Sequence, residues 1–134
     1  MTTERTNPAA RLGFQPGQVV QEIGYDEDVD QDLREGIESI TGQDLVDEDY
    51  DDVADTVLLW FREDDGDLTD ALVDAIGFLE EGGVIWLLTP KSGRDGYLEP
   101  SDVNEAAQTA GLSQTKSVSV AKDWAGARLI APKR

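Results

Sequence analysis

Apolar residues along the chain follow the two periods that distinguish strands from helices. Residues 56–61 (TVLLWF) and 84–89 (VIWLLT) are continuous apolar runs, which predict strands buried on both faces. Residues 18–23 (QVVQEI) predict a shorter strand that ends at Gly24, and Leu45-Val46 leaves open a very short one. Fully apolar strands favour a parallel sheet that is covered on both faces.

Helical periodicity occupies the segments between these strands. Residues 26–40 predict a first helix, with Gly42 as its C-terminal cap. Its apolar positions recur at steps of four, four and three: Val29, Leu33, Ile37 and Ile40. A second helix is expected to start at the cap Asp67 and to end within residues 80–83, and a third to start at Pro100. The expected inner face of the second helix consists of Leu68, Leu72, Ala75, Ile76 and Leu79.

The C-terminal part of the chain predicts a closing hairpin. Residues 115–121 alternate as a half-exposed strand, residues 123–126 form a turn, and residues 127–131 form an antiparallel last strand. That strand lies either at a sheet edge, where it would pair with a second copy in a homodimer, or in the interior. The pattern predicts an α/β fold with three layers, in which helices cover both faces of a mostly parallel sheet. We expect one domain over residues 14–134 after a flexible lead-in at residues 1–13.

Negative charge is concentrated in one region of the sequence. Residues 26–81 hold 22 Asp and Glu against two Arg, in a chain whose net charge is −18. This region would repel nucleic acid and anionic membranes, so neither is expected as a direct partner. It favours a basic protein partner, or it serves only solubility or salt adaptation. We expect the residues for partner binding to be Asp47, Glu48, Asp49, Asp51, Asp52 and Trp124. The alternative for Trp124 is a packing role on the hairpin.

The residue types that are missing restrict the chemistry. The chain has no His and no Cys, which removes the usual general base, thiolate nucleophiles and the commonest zinc ligands. The acidic runs also lack the Gly and Glu spacing of a calcium-binding loop, so we expect a solvated acidic face and no metal site, with weak divalent-cation binding as the alternative. Without a glycine-rich nucleotide fingerprint we expect no cofactor. The first ten residues are polar and no apolar run is long enough for a bilayer, so we expect a cytoplasmic protein.

Three loops are expected at the carboxyl ends of the parallel strands, where open α/β sheets bind ligands. The loops at residues 24–28 and 62–66 are acidic, whereas residues 90–99 carry two cations. The candidate ligand-binding residues are Lys91, Arg94, Tyr97 and Gly24. Lys91 and Arg94 suit an anion such as a phosphate or carboxylate, and the alternative is a surface loop that balances nearby acids. A nucleotide fingerprint is absent, because Gly24 is followed by Tyr25 and three acids.

Several segments resemble a family of small, functionally uncharacterised bacterial proteins that is common in actinobacteria. They are GQVVQEIGYDEDVD, DTVLLWF, DGDLTDAL, GGVIWLLTPKSGRDGYLEPSDVNEAAQTAGL and DWAGARLIAPK. The order of elements also resembles a shortened class I methyltransferase. In that fold a glycine-rich loop after the first strand holds S-adenosylmethionine, and an acid after the second strand holds the ribose. Here only Gly24 remains of the loop, and Asp47 matches the acidic position.

The resemblance implies a methyltransferase-like scaffold that has lost its cofactor site. With the missing His and Cys, it favours a non-catalytic regulatory or protein-interaction role with a basic partner. The alternative function is a small-molecule binding protein or enzyme that uses the crevice around Lys91 and Arg94.

Overall fold

The computed structural model describes Ala9 and residues 12–131 of the 134-residue chain. Within these residues lie five strands, three α-helices and one short 3-10 helix, Glu63–Asp65. The strands and α-helices, in chain order, are β1 (Val20–Ile23), α1 (Gln31–Thr41), β2 (Ala54–Trp60), α2 (Leu68–Ile76), β3 (Leu79–Pro90), α3 (Pro100–Thr109), β4 (Ser113–Ser119) and β5 (Trp124–Ile130). In the described part of the chain, no helix has the length and apolar character needed to cross a membrane.

The five strands form one sheet in the order β1-β2-β3-β5-β4. β1, β2 and β3 are parallel, and β5 runs antiparallel to both β3 and β4. The predicted three-layer α/β fold with a C-terminal antiparallel hairpin is therefore confirmed. Of the two alternatives for the last strand, the interior one is observed, because β5 lies between β3 and β4. The described edge on that side is β4, so β5 has no unpaired edge in the sheet, and a homodimer stays a prediction.

Each face of the sheet has its own apolar core, because successive side chains of a strand point to opposite faces. Along β2, Val57 and Leu59 pack with α2 and α3, whereas Leu58 and Trp60 pack with α1. All four are buried. The α1 side also includes residues from the N-terminal segment: Ala9, Leu12 and Phe14.

After α1 the chain changes the side of β1 on which it adds the next strand. After α1, Val46 forms an isolated parallel bridge with Gln21 of β1, in which Glu22 N donates to Val46 O at 2.8 Å. The open alternative of a very short strand at Leu45-Val46 thus takes the form of a single bridge. Because β2 pairs with β1, the chain then returns across β1 to build the rest of the sheet. Such a reversal marks the place where open α/β sheets form a ligand crevice, here at the carboxyl ends of β1 and β2.

Two predicted helix boundaries are wrong. The first helix begins at Gln31 and not at residue 26, because the Asp30 side chain caps it by accepting from Leu33 N at 2.8 Å. Val29 precedes the helix but is still buried, and Gly42 is the C-cap as expected, with φ +82°. Leu79 does not belong to the second helix. It begins β3 and pairs with Ala54, so β3 starts five residues before the predicted strand.

Two further expectations need correction. Residues 124–126 are not a turn, because Trp124 opens β5 and pairs with Pro90 of β3. The predicted lead-in, residues 1–13, is mostly outside the described residues, as are residues 132–134 of the expected domain. Within the described part of the lead-in, Ala9 and Leu12 are buried in the core on the α1 side. This part of the lead-in therefore packs on the domain and is not loose.

Candidate functional site

The side chain of Arg62 joins the carboxyl ends of β1 and β2. Its Nη1 donates to the carbonyl oxygens of Gly24 at 2.8 Å and Trp60 at 3.3 Å. Nε and Nη2 both donate to the carboxylate of Asp28, the former at 3.1 Å. Nη1 also lies 3.2 Å from Oδ2 of Asp65. The Arg62 side chain is only 11% exposed, so it fills the crevice that the sheet topology creates.

A local turn fixes Arg62 in this position. The 3-10 helix at Glu63–Asp65 brings Oδ2 of Asp65 back to Arg62 N, which donates to it at 2.9 Å. The adjacent loop adds a further constraint, because Glu63 N donates to Gly96 O at 2.9 Å. Asp65 thus accepts hydrogen bonds from both the backbone and the guanidinium of Arg62, in addition to the contact that Arg62 makes with Asp28.

Trp124 covers one side of this arginine. Its ring centroid lies 5.2 Å from Cζ of Arg62, a cation–π distance. Its Nε1 donates to Asp28 O at 3.1 Å. The side chain is buried, and the residue is 3% exposed. The packing alternative for Trp124 is therefore the one observed. The expectation of a partner-binding indole is corrected, because the ring is buried against Arg62 and the core.

Glu22 carries a second buried ion pair, next to the first. Arg34 of α1 donates to it through Nε at 2.7 Å and through Nη2 at 2.8 Å. Trp60 Nε1 donates to the same carboxylate at 2.8 Å. Glu22 is 6% exposed, and these three donors satisfy its charge inside the core. The pair attaches α1 to the carboxyl end of β1.

Gly24 permits the two strand ends to approach closely. Its φ is +84°, and a Cβ at this position would collide with the carbonyl oxygen of Trp60. Its N–H donates to Oε2 of Glu48 at 3.1 Å. Gly24 therefore allows the ends of β1 and β2 to approach each other more closely than a residue with a Cβ would.

Electrostatics hold this cluster in its charged form. The hydrogen bond from Arg62, together with its positive charge, lowers the pKa of Asp28 below its usual value of 3.8 against a smaller effect of burial. Burial alone would lower the pKa of Arg62, but the hydrogen bonds to Asp28 and Asp65 outweigh it and raise that pKa. The hydrogen bond to Glu22 likewise raises the pKa of Arg34. These groups stay ionised near neutral pH, so they suit structural ion pairs better than proton transfer.

The structure divides the predicted ligand-binding residues between two hollows. Lys91 and Tyr97 line a cavity of about 170 Å³ on the α3 side of the sheet. Arg94 lines another, of about 430 Å³, with Asp28 and Trp124. Arg94 also forms an exposed ion pair with Asp123 at 3.3 Å. Gly24 packs against Trp60, so the predicted set does not come together as one site.

The predicted partner-binding acids lie together on an exposed loop, residues 44–52, which we name the acidic loop. All five predicted carboxylates on it are exposed: Asp47, Glu48, Asp49, Asp51 and Asp52. The buried side chain of Gln21 anchors the loop from below, since its Nε2 donates to Asp47 O at 3.0 Å. Among the described residues, none of the five carboxylates forms an ion pair within 4.0 Å. Whether they bind a partner stays a prediction.

Sequence reasoning missed the residues that organise this end of the sheet: Arg62, Asp28, Glu22, Arg34 and Gln21. One signal was present, because Arg34 and Arg62 are the two Arg within an otherwise acidic stretch. An isolated cation in such a segment indicates a specific carboxylate partner. In the described residues, no group of three His, Cys, Asp or Glu is arranged to hold a metal ion.

A family profile matches residues 9–133, nearly the whole chain, and its description is "Protein of unknown function (DUF3052)". Uncharacterized proteins of Mycobacterium tuberculosis and Mycobacterium bovis are each 52% identical over 128 residues. Each alignment covers 96% of this chain and 80% of the mycobacterial protein.

Several solved structures with a similar fold are methyltransferases. An O-methyltransferase family 2 protein from Planctomyces limnophilus superposes with a TM-score of 0.65 at 14% identity, over 98% of this chain and 60% of that one. The glycopeptide N-methyltransferase MtfA gives 0.61 at 15% identity, over 98% and 90%. A SAM-dependent methyltransferase from Aquifex aeolicus gives 0.56 at 14%, over 98% and 93%. At these identities the similarity establishes a Rossmann-like, methyltransferase-like fold and nothing about activity.

The residues of this chain do not fit S-adenosylmethionine, the cofactor that the fold implies. The crevice at the ends of β1 and β2 is filled by Arg62, whose N–H groups already donate to protein oxygens. The backbone of Gly24 closes on Trp60 at the same place. A cofactor there would have to displace a buried cation and leave Asp28 and two carbonyl oxygens without their donor.

Proposed function

The chain belongs to the DUF3052 family, and we propose that it is a non-catalytic interaction protein on a degenerate methyltransferase-like scaffold. The observation that carries the proposal is the Arg62 cluster, which replaces the cofactor crevice with internal hydrogen bonds to Gly24, Trp60, Asp28 and Asp65. Because a side chain of the protein itself fills the ligand crevice, we assign recognition to the outer surface of the scaffold.

The acidic loop is the surface that we assign to the partner. The Val46 bridge and the hydrogen bond from Gln21 hold the backbone that carries these carboxylates in place. Within the loop, Asp49 N donates to Oδ1 of Asp47 at 3.0 Å. Preorganised like charges without cations of their own attract a basic surface and speed its association. The partner in this proposal is therefore a basic protein.

Binding to such a partner depends on charge and on salt. We expect immobilised wild-type protein to retain a basic protein from cell lysate at about 0.05 M salt and to release it at about 0.5 M, because salt screens exposed charges. The test variant replaces the five acids of the loop by amides: Asp47→Asn, Glu48→Gln, Asp49→Asn, Asp51→Asn and Asp52→Asn. Amide oxygens still accept the hydrogen bonds from Gly24 N, Asp49 N and Val53 N, so the loop keeps its shape.

A control variant removes the same number of charges from the α2–α3 side. Its substitutions are Asp70→Asn, Asp74→Asn, Glu99→Gln, Asp102→Asn and Glu105→Gln, all at exposed positions. We expect the control to retain the partner and the loop variant to lose it. Equal retention by the two variants, or the absence of any salt-sensitive partner, would contradict the proposal.

A further inference from the structure

The cavity on the α3 side of the sheet lies apart from the acidic loop, and it differs in charge from the rest of the molecule. It has a volume of about 170 Å³ and is lined by the carboxyl end of β3, the loop that follows it, β4 and β5, and the start of α3. Among the described residues that line it, none is Asp or Glu, although 29 of the 134 residues are acidic, and the one charged residue is Lys91.

Small side chains on neighbouring strands create the hollow. In the sheet register, Ala127 of β5 lies between Leu87 of β3 and Ser117 of β4. Directly paired residues project to the same face, so Ala127 and Ser117 leave space under α3 that larger residues would fill. Val103 of α3 and Leu98 also line the hollow. Its lining is therefore mixed, with apolar residues such as Leu87 and Val103 beside the polar Ser117 and Lys91.

Lys91 is available for a ligand. Among the described residues its ammonium has no carboxylate within 4.0 Å, whereas Arg34, Arg62 and Arg94 all form ion pairs. Its backbone is fixed, because Lys91 N donates to Asp123 O at 2.9 Å. The next turn holds the loop as well, since Arg94 N donates to Lys91 O at 3.0 Å. An unpaired cation on a fixed loop is the arrangement that binds an anion with little loss of entropy.

We propose that this cavity binds a small carboxylate with a compact apolar or aromatic body. The carboxylate pairs with Lys91, and Tyr97 and Ser92 line the same cavity. The apolar body lies on Leu87 and Ala127. The volume is about half of the smallest pockets that take drug-sized ligands, which begin near about 300 Å³, so the ligand is the size of a single ring. This inference does not depend on the partner proposed for the acidic loop.

The test uses benzoate and benzamide, which have the same shape and differ in charge, together with inorganic phosphate. Each is titrated into the 15N-labelled full chain, and amide shifts are followed by NMR. We expect saturable shifts for benzoate at Gln114, Ser117 and Gly126, which line the cavity. Benzamide and phosphate should bind at least about tenfold more weakly, because each lacks either the charge or the apolar body.

Two variants and their matched controls decide the location. Lys91→Gln should weaken benzoate binding by at least about tenfold, whereas Lys122→Gln, at an exposed lysine outside the cavity, should leave it unchanged. Ser117→Leu should block binding by filling the hollow, whereas Ser39→Leu on α1 should not. The proposal is overturned if benzoate gives no saturable shifts, if benzamide or phosphate binds equally well, or if Lys91→Gln behaves like Lys122→Gln. The acidic-loop variant should bind benzoate normally, so failure here leaves the partner proposal standing.

Discussion

Trp124 and Trp60 meet edge to face on the α1 side of the sheet, with their ring centroids 4.9 Å apart and their planes at 81°. Each indole also donates a hydrogen bond at the carboxyl end of β1: Trp60 to Glu22 in the strand, and Trp124 to Asp28 O in the loop that follows it. The two rings therefore connect the C-terminal hairpin to the place where a methyltransferase-like fold would open a crevice. Trp124 also covers Arg62, with 5.2 Å between Cζ and the ring centroid.

Replacing Arg62 should destabilise the protein, and lysine should not substitute for it. Arg62→Met is expected to lower the free energy of unfolding by about 2 kcal/mol, because buried oxygens of Gly24 and Trp60 lose their donor. Arg62→Lys should be nearly as harmful, since one ammonium cannot span the acceptors that the planar guanidinium reaches. Urea unfolding measures both effects.

The matched control for this experiment is Arg94→Met. Arg94 and its partner Asp123 are 55% and 38% exposed, so their ion pair should contribute less than about 1 kcal/mol. If Arg62→Lys keeps wild-type stability, the closed crevice does not depend on the guanidinium fork.

The ion pair between Asp28 and Arg62 should make stability depend on acid pH. The folded-state pKa of Asp28 is lowered, so its contribution is present above the unfolded pKa and is lost as pH falls through the folded value. The stability difference between the wild type and Asp28→Asn should therefore be constant near neutrality and should shrink as pH falls below about 5 and through the lowered pKa of Asp28. Urea unfolding at a series of pH values measures it, with Asp26→Asn as the comparison. A difference that grows as pH falls would contradict the sign.

Neutralising Glu22 should cost more than neutralising an exposed acid. Glu22→Gln leaves Arg34 and Trp60 Nε1 without the carboxylate that they share, so we expect a loss of about 2–3 kcal/mol in the free energy of unfolding. Glu35→Gln, on the exposed side of α1, should change stability by less than about 0.5 kcal/mol. Similar values for the two variants in urea unfolding would show that the buried pair makes no special contribution.

Substituting Gly24 separates close packing from backbone conformation. Gly24→Ala and Gly17→Ala both place a side chain at a positive φ, +84° and +87°, which costs about 1–2 kcal/mol in each case. Only at Gly24 would the new Cβ collide with Trp60 O, because nothing lies within 4 Å at Gly17. Gly24→Ala should therefore be more destabilising by at least about 1 kcal/mol. Thermal unfolding of the two variants gives the comparison.

Local patterns predicted the elements of the fold better than their ends. The apolar runs at residues 56–61 and 84–89 identified β2 and β3, because strands buried on both faces have no polar alternation to obscure them. The early start of β3 at Leu79 escaped prediction, since Glu80, Glu81 and two glycines follow it and are typical of a helix end. Pairing with Ala54 extends the strand there, and a pairing over 25 positions leaves no local signal.

The site was harder to predict than the fold, because burial of charge depends on distant neighbours. Arg62 meets Asp28 across 34 positions, and Glu22 meets Trp60 across 38. In the sequence Asp28 is one acid among many, and only the fold singles it out. The predicted acids of the loop were easier to place, because exposure on a long polar connection follows from local composition.

The position of β5 has a consequence for the order in which the molecule folds. In the described sheet β4 pairs with β5 alone, and β5 also pairs with β3. β5 therefore joins β4 to β3, although it follows both of them in the sequence. Trp124 at its start reaches Asp28 across 96 positions, a contact of very large sequence separation. Contacts of this kind form slowly, since the long intervening chain must first be ordered. During synthesis, therefore, Arg62 and Asp28 lack their contacts with Trp124 until β5 has emerged from the ribosome.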